Sequence, residues 1–172
     1  MAKMNAICHK EVIAALYKAS SAGVKVDLIV RGICCLRTGV PGVSENITVR
    51  SIVGNYLEHS RVFYFENGGS PEFYCSSADW MPRNLERRVE ILFPVEDEKL
   101  RKKLWHILDL ELKDTEKAHV MNEKGIYVKI GDAPSDGEKI NSQKMFGDEA
   151  RGASRKKGIE SRVFIPETNP KI

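Results

Sequence analysis

The sequence predicts an α/β fold, a mixed β-sheet sandwiched by helices in a single domain, and three observations predict it. Two segments place apolar residues at helical spacing: residues 9–21, with Val12, Ile13, Leu16 and Ala19, and residues 96–112, with Leu100, Leu104, Ile107, Leu108 and Leu112. Short β-branched runs lie between them, among them Val24-Lys25-Val26-Asp27-Leu28-Ile29-Val30, which reads as a mostly buried strand. The two kinds of segment interleave along 172 residues, a length that buries one good core.

Each element follows in order. Gly23 supplies the stop for the first helix, and the strand at 24–30 ends at Arg31-Gly32. A turn-rich loop, Thr38-Gly39-Val40-Pro41-Gly42, leads to an alternating strand at 47–52, and a short helical turn is expected at 53–57. Residues 60–66 and 72–76 read as a hairpin joined by Asn67-Gly68-Gly69-Ser70-Pro71. A further strand is expected at 89–95, then the long helix at 96–112, then a hairpin at 117–130 turning at Asn122-Glu123-Lys124-Gly125. Beyond Gly131 the chain turns polar, with one short helix after Asn141. Residues 1–146 are read as the folded domain and residues 147–172 as a polar, loosely held tail.

Composition excludes several classes. No stretch is apolar for long enough to span a bilayer, and the first residues lack the apolar core of a signal peptide. The four cysteines show neither a CxxC nor metal-ligand spacing; Cys34 and Cys35, in an apolar run, read as buried reduced thiols of a cytoplasmic protein. A net charge of +3 is too small to point to nucleic acid. Its distribution is more informative, because seven of the eight basic residues between Val24 and Val95 are arginine. Guanidinium grips phosphate bidentately, although the eight acids of the same stretch would equally make surface ion pairs.

Chemistry concentrates on His59. In an alternating segment His59 and Arg61 share one side of a strand, and Glu66 follows five residues later. An imidazole that exchanges protons near neutrality, beside a fixed cation, suits phosphoryl or phosphodiester chemistry. Arg31 stands where a buried strand meets a glycine loop, the edge at which α/β sheets bind ligands. Ser76-Ser77-Ala78-Asp79 closes the hairpin; Ser77 can offer hydroxyl and backbone donors to an anion, and Asp79 can orient an imidazole. Each has a plainer reading: Arg31 capping a loop carbonyl, His59 satisfied at an edge, Ser77 and Asp79 forming a turn. His9, His106 and His119 have no partner at a matching spacing.

The order His59, Arg61, Glu66, then Ser76-Ser77-Ala78-Asp79, resembles the half-site of the phospholipase D superfamily, with Arg for Lys, Glu for Asp, Asp for Asn and a longer hairpin between. Longer runs are more specific. Residues 15–20, residues 22–37 (ending Leu28-Ile29-Val30-Arg31-Gly32-Ile33-Cys34-Cys35-Leu36-Arg37), residues 39–47, Arg50-Ser51-Ile52-Val53-Gly54, and Ser76 through Asn84 resemble the last domain of bacterial polyphosphate kinase, the long multi-domain family. The resemblance implies a phospholipase D-like fold and a reversible transfer of the terminal phosphate of ATP to polyphosphate. It implies a phosphohistidine on the preceding domain. His59 would act on the transferring phosphate as proton donor or electrostatic partner, and Arg31, with His59 and Arg61, would bind nucleotide phosphates. Glu66, Ser77 and Asp79 would support them. Magnesium, used by the full enzyme, would have its ligands outside this chain. The implied partners are the upstream domains, ATP or ADP, polyphosphate and further copies of the enzyme, without nucleic acid. The implied location is the cytoplasm, with membrane association only as a complex. This chain would hold half of an active site. Two other functions fit the residues: a phospholipase D-like phosphodiesterase completed by dimerisation, and a non-enzymatic polyanion-binding module.

Overall fold

The computed structural model describes residues 1–130 and 139–152. Its centre is one eight-stranded mixed sheet built from β1 (Ala2–Met4), β2 (Val26–Val30), β3 (Ile47–Ile52), β4 (Val62–Phe65), β5 (Glu72–Ser76), β6 (Leu92–Pro94), β7 (Ala118–Met121) and β8 (Tyr127–Lys129), in the order β6-β5-β4-β1-β2-β3-β7-β8. β1, β2 and β3 run parallel, with Ala2 opposite Leu28 and Val26 opposite Ile47. β4 lies antiparallel to β1, and β7 antiparallel to β3. The helices are α1 (Lys10–Ser21), α2 (Pro82–Arg87), α3 (Glu98–Lys113) and α4 (Ser142–Ala150).

Alternation along the strands sends two apolar sets to opposite faces. Ala2, Met4, Val26, Leu28, Val30, Ile47, Val49 and Phe63 meet Val12, Ile13, Leu16 and Tyr17 of α1. Ile29, Ile52, Val62, Tyr64 and Phe73 meet Leu104, Trp105, Leu108 and Leu112 of α3. This is the mixed sheet sandwiched by helices that the sequence predicts. On the α1 face Phe63 stacks on Trp80, with ring centroids 5.0 Å apart and planes 4° apart. α4 packs on α3 through the edge contact of Phe146 with His106 and the bond from His106 Nε2 to Glu149.

The differences from expectation have physical causes. β1 goes unread because its central residue is Lys3, which is only 2% exposed and therefore depends on partners that no local pattern displays. α2 starts with Pro82 at its first position, where the missing N–H costs no hydrogen bond. The expected helical turn at 53–57 is instead a bend without helical hydrogen bonds. β6 is shorter than expected, an edge strand that tolerates Pro94. The hairpin link becomes a tight turn with Asn67, Gly68 and Gly69 all at positive φ, a conformation open to Asn and Gly. Cys35 is exposed and Cys34 only half-buried, because residues 31–40 form a loop with a single bridge at Cys34 rather than a buried strand; all four thiols are free. Gly147 to Ala150 continue α4 instead of starting the tail, and residues 153–172 lie outside the described residues. No helix among the described residues is long and apolar enough to cross a membrane.

Candidate functional site

The parallel strands and their antiparallel neighbour bring one rim together. β1 ends at Met4, β2 at Val30 and β3 at Ile52, while β4 begins at Val62, so Asn5, Arg31, residues 53–60 and Arg61 gather at the C-terminal edge of the parallel strands. β5 runs back to the same rim and delivers Asp79.

A continuous hydrogen-bond chain links these groups. Arg31 Nε donates to Asn5 Oδ1 at 3.0 Å. The Asn5 backbone N–H donates to Asp79 Oδ1 at 2.7 Å, and its side-chain amide donates to the same carboxylate at 3.2 Å. Arg61 closes on Asp79 with a fork, Nε to Oδ1 at 3.2 Å and Nη2 to Oδ2 at 2.8 Å. Its third nitrogen, Nη1, donates to the His59 carbonyl at 2.9 Å and lies 3.1 Å from His59 Nδ1. Arg31 is fixed from a second side, since Ser51 Oγ donates to its carbonyl at 2.9 Å.

Three consequences follow. Burial pushes the Asp79 carboxyl up, but the hydrogen bonds from Arg61 and Asn5 outweigh it and hold the group below the ordinary carboxylate value. The ion pair is therefore permanently charged at neutral pH. A guanidinium can only donate, so His59 Nδ1 accepts, and the proton of the neutral ring sits on Nε2. His59 is exposed, so that Nε2–H is open to a ligand. Finally, the two arginines differ. All three nitrogens of Arg61 are engaged, whereas the Nη groups of Arg31 have no hydrogen-bond or ion-pair partner among the described residues.

The segment carrying His59 belongs to the domain defined by the family model for the polyphosphate kinase C-terminal domain 2, which matches residues 1–143. The chain belongs to that family. It is 51% identical over 164 residues to polyphosphate kinase 1 of Chlorobaculum tepidum, covering 95% of this chain and 23% of that protein. It is 53% identical over 148 residues to a polyphosphate kinase of Helicobacter pylori, covering 86% of this chain and 21% of that one. The crystal structure of the polyphosphate kinase from Porphyromonas gingivalis superposes with a TM-score of 0.82 at 44% identity, over 88% of this chain and 23% of that one. The chain thus spans under a quarter of the length of these relatives.

Within this polyphosphate kinase domain the sequence-selected residues divide. Arg31, His59, Arg61 and Asp79 meet on one rim, although residues 57–61 form a loop rather than the strand that the alternation suggested. Glu66 does not join them. It follows β4 at the opposite rim, where the Tyr64 hydroxyl donates to it, and five residues of extended chain set it about 17 Å from Arg61. Ser77 is turned aside: its hydroxyl donates to Glu90 and accepts from the Ile91 N–H at 3.0 Å, while Asn84 holds the same Glu90 at 2.6 Å. The nitrogens of Arg61 are engaged by Asp79 and His59, so it presents no free fork. Asn5 is the residue that sequence reasoning misses; its signal, a polar residue after a short strand, vanishes when β1 is not read. Among the described residues no group of three or more His, Cys, Asp or Glu is placed to hold a metal ion.

Proposed function

We propose that this chain is the C-terminal catalytic domain of a polyphosphate kinase that reversibly transfers the terminal phosphate of ATP to polyphosphate, and that it supplies half of the active site. The observation that carries the reading is the chain of hydrogen bonds from Arg31 through Asn5, Asp79 and Arg61 to His59. The family, and relatives named polyphosphate kinase, support it.

The residues take distinct roles. Arg31, anchored through Nε, offers its Nη groups as a bidentate fork to nucleotide phosphate oxygens. His59 donates through Nε2–H to the phosphoryl group in flight, where charge grows on oxygen. Arg61 and Asp79 orient that ring. In the first step the bond between the ADP oxygen and the terminal phosphorus breaks, and a bond from phosphorus to an imidazole nitrogen on an upstream domain forms. In the second that P–N bond breaks as an oxygen of the polyphosphate end bonds to phosphorus. Dividing one displacement into two lowers each barrier, and the fork and the imidazole serve both. In this reading magnesium belongs to the complete enzyme, with its ligands outside this chain. The partners required are the upstream domains, ATP or ADP, polyphosphate and further copies of the enzyme, in the cytoplasm. The phospholipase D-like half-site is the fold analogy that belongs to this reading.

The test is reconstitution. The purified chain should release no ADP with polymer growth from ATP, and joining it to the upstream domains of a polyphosphate kinase should restore transfer. Polymer growth by the chain alone would overturn the half-site, and hydrolysis of a generic phosphodiester by the chain alone would replace it with a diesterase.

A further inference from the structure

His59 sits on a segment that lacks an apolar anchor. Between β3 and β4, the large apolar side chains Val53, Tyr56 and Leu57 are 65, 63 and 69% exposed. A loop with no buried side chains of this kind ordinarily moves. What holds this one is polar and comes from beneath. Gln143, 5% exposed at the start of α4, uses both ends of its amide: Nε2 donates to the Tyr56 carbonyl at 2.9 Å and to Glu58 Oε1 at 3.0 Å, and Oε1 accepts from the Tyr56 N–H at 3.0 Å. The other oxygen of Glu58 accepts from Lys3 Nζ at 2.7 Å, and Lys3 also binds Glu111 of α3.

The clamp is itself well anchored. α4 begins on Asp114, fully buried after the end of α3, which accepts from the Ser142 N–H at 2.8 Å and from its hydroxyl at 2.7 Å. Gly54 leaves room for the Gln143 amide, because a Cβ there would collide with it. A small cavity lined by Lys3, Glu58 and Glu111 also touches Arg31, so the clamp adjoins both proposed phosphate-handling groups.

We infer that Gln143, Glu58, Lys3 and Glu111 form a positioning clamp, which fixes the backbone of residues 54–58 so that His59 is presented to the transferring phosphate. The inference rests on the proposed kinase reading. Arg61 aims the ring relative to its own backbone; the clamp fixes that backbone relative to the sheet and thus to Arg31. α4 then serves the reaction without touching it. Errors of 1 Å in the placement of a reacting group are enough to cost about 100-fold in rate.

The experiment uses the complete kinase carrying this domain, with Gln143→Ala, Gly54→Ala and His59→Ala made separately. Gln143→Ala should lower kcat about 10- to 100-fold while KM for ATP stays within about threefold, since Arg31 is untouched. Amide hydrogen exchange should quicken in the peptide spanning residues 53–61 and stay slow in β1, β2 and β3. Gly54→Ala, which pushes the amide away without deleting it, should reproduce both effects and covers the case in which Gln143→Ala fails to fold. Parental kcat in Gln143→Ala or Gly54→Ala, with a loosened loop and an inactive His59→Ala, would overturn the clamp and leave the kinase reading standing. Parental kcat in His59→Ala would overturn the kinase reading itself, and the clamp's role with it.

Discussion

Two ionic clusters reach the segment around His59, and they are built on opposite plans. At the rim one guanidinium meets one carboxylate through a fork, with side chains 11 and 6% exposed, and every Asp79 oxygen is satisfied. Beneath α3 one ammonium, Lys3, meets two carboxylates, Glu58 and Glu111, and the buried Glu111 Oε2 has no donor among the described residues. The first cluster is balanced and stays charged. The second carries one negative charge too many, so a proton is the natural remedy: burial pushes Glu111 up to about 7, with Lys3 opposing and Glu58 adding to the shift. Balance gives a fixed geometry that suits aiming a side chain, and imbalance gives a group that titrates. Changes in each cluster should therefore differ in kind as well as in size.

The largest expected effect is at the group the rim cluster aims. In the complete kinase His59→Ala should lower the rate of transfer about 100- to 1,000-fold, the loss seen when one preorganised donor to a developing oxyanion is removed. Thermal melts should hardly move, because His59 is exposed and outside both cores. Arg31→Lys should cost about 10-fold or more and raise KM for ATP, since an ammonium keeps the charge but loses the fork. His119→Ala, whose Nδ1 meets the nearby Lys117 carbonyl at 3.1 Å, serves as the control at parental rate. A sensitive His119 with an insensitive His59 would break the comparison at its root.

Next comes the balanced pair itself. Asp79→Asn keeps the shape but strands a nearly buried guanidinium, and leaving one partner of a buried pair alone costs about 3–5 kcal/mol. At about 2–4 °C per kcal/mol for a domain of this size, the melting temperature should fall by roughly 6–20 °C. The parent's advantage over the variant also has a sign in pH. Asp79 is held below its ordinary value of 3.8, so its contribution is full above that value and is lost as pH falls through the depressed one. The gap between the melts of the two proteins should therefore hold steady above pH 3.8 and narrow as pH falls below it. Equal stability at neutral pH would show that the rim pair only decorates the edge.

How much of this was legible depends on where each partner lies in the chain. Both long helices and β3 announce themselves by period, because burial on a defined face forces the spacing, and β2 by its β-branched run; β1 does not. His59 and Arg61 are neighbours in sequence and meet in space. Asp79 is found because the residues after a strand that pairs with β4 must return to the rim where β4 starts. Glu66 shows the converse: a linear pattern that runs the length of a strand places its last member at the far edge. The buried cluster was hidden altogether. Lys3 and Glu111 stand 108 residues apart, and each alone reads as a surface charge. Only the fold shows that Lys3 lies inside a strand, where Glu58 and Glu111 compensate its buried charge.

The smallest effect, and the sharpest test of the contrast, concerns Glu111. Its carboxyl has an ordinary value of 4.5 and is raised to about 7 in the folded chain, opposite to Asp79. Below 4.5 both folded and unfolded chains hold the proton, and the contribution of this group to stability is complete. Between 4.5 and about 7 the unfolded chain gives up its proton while the folded one keeps it, so stability falls as pH rises. Above that window the buried cluster carries its surplus charge. Glu111→Gln mimics the protonated form, keeps an acceptor for Lys3, and should flatten this part of the profile. Parent and variant should melt alike near pH 4.5, and the variant should be more stable at pH 8 by on the order of 3 kcal/mol. Burial pushes Glu58 up, but Lys3 and Gln143 outweigh it and hold that carboxyl below the ordinary range. A variant that lost stability equally at both pH values would show that Glu111 acts as a fixed carboxylate, like Asp79, and the distinction between the balanced and the unbalanced cluster would fail.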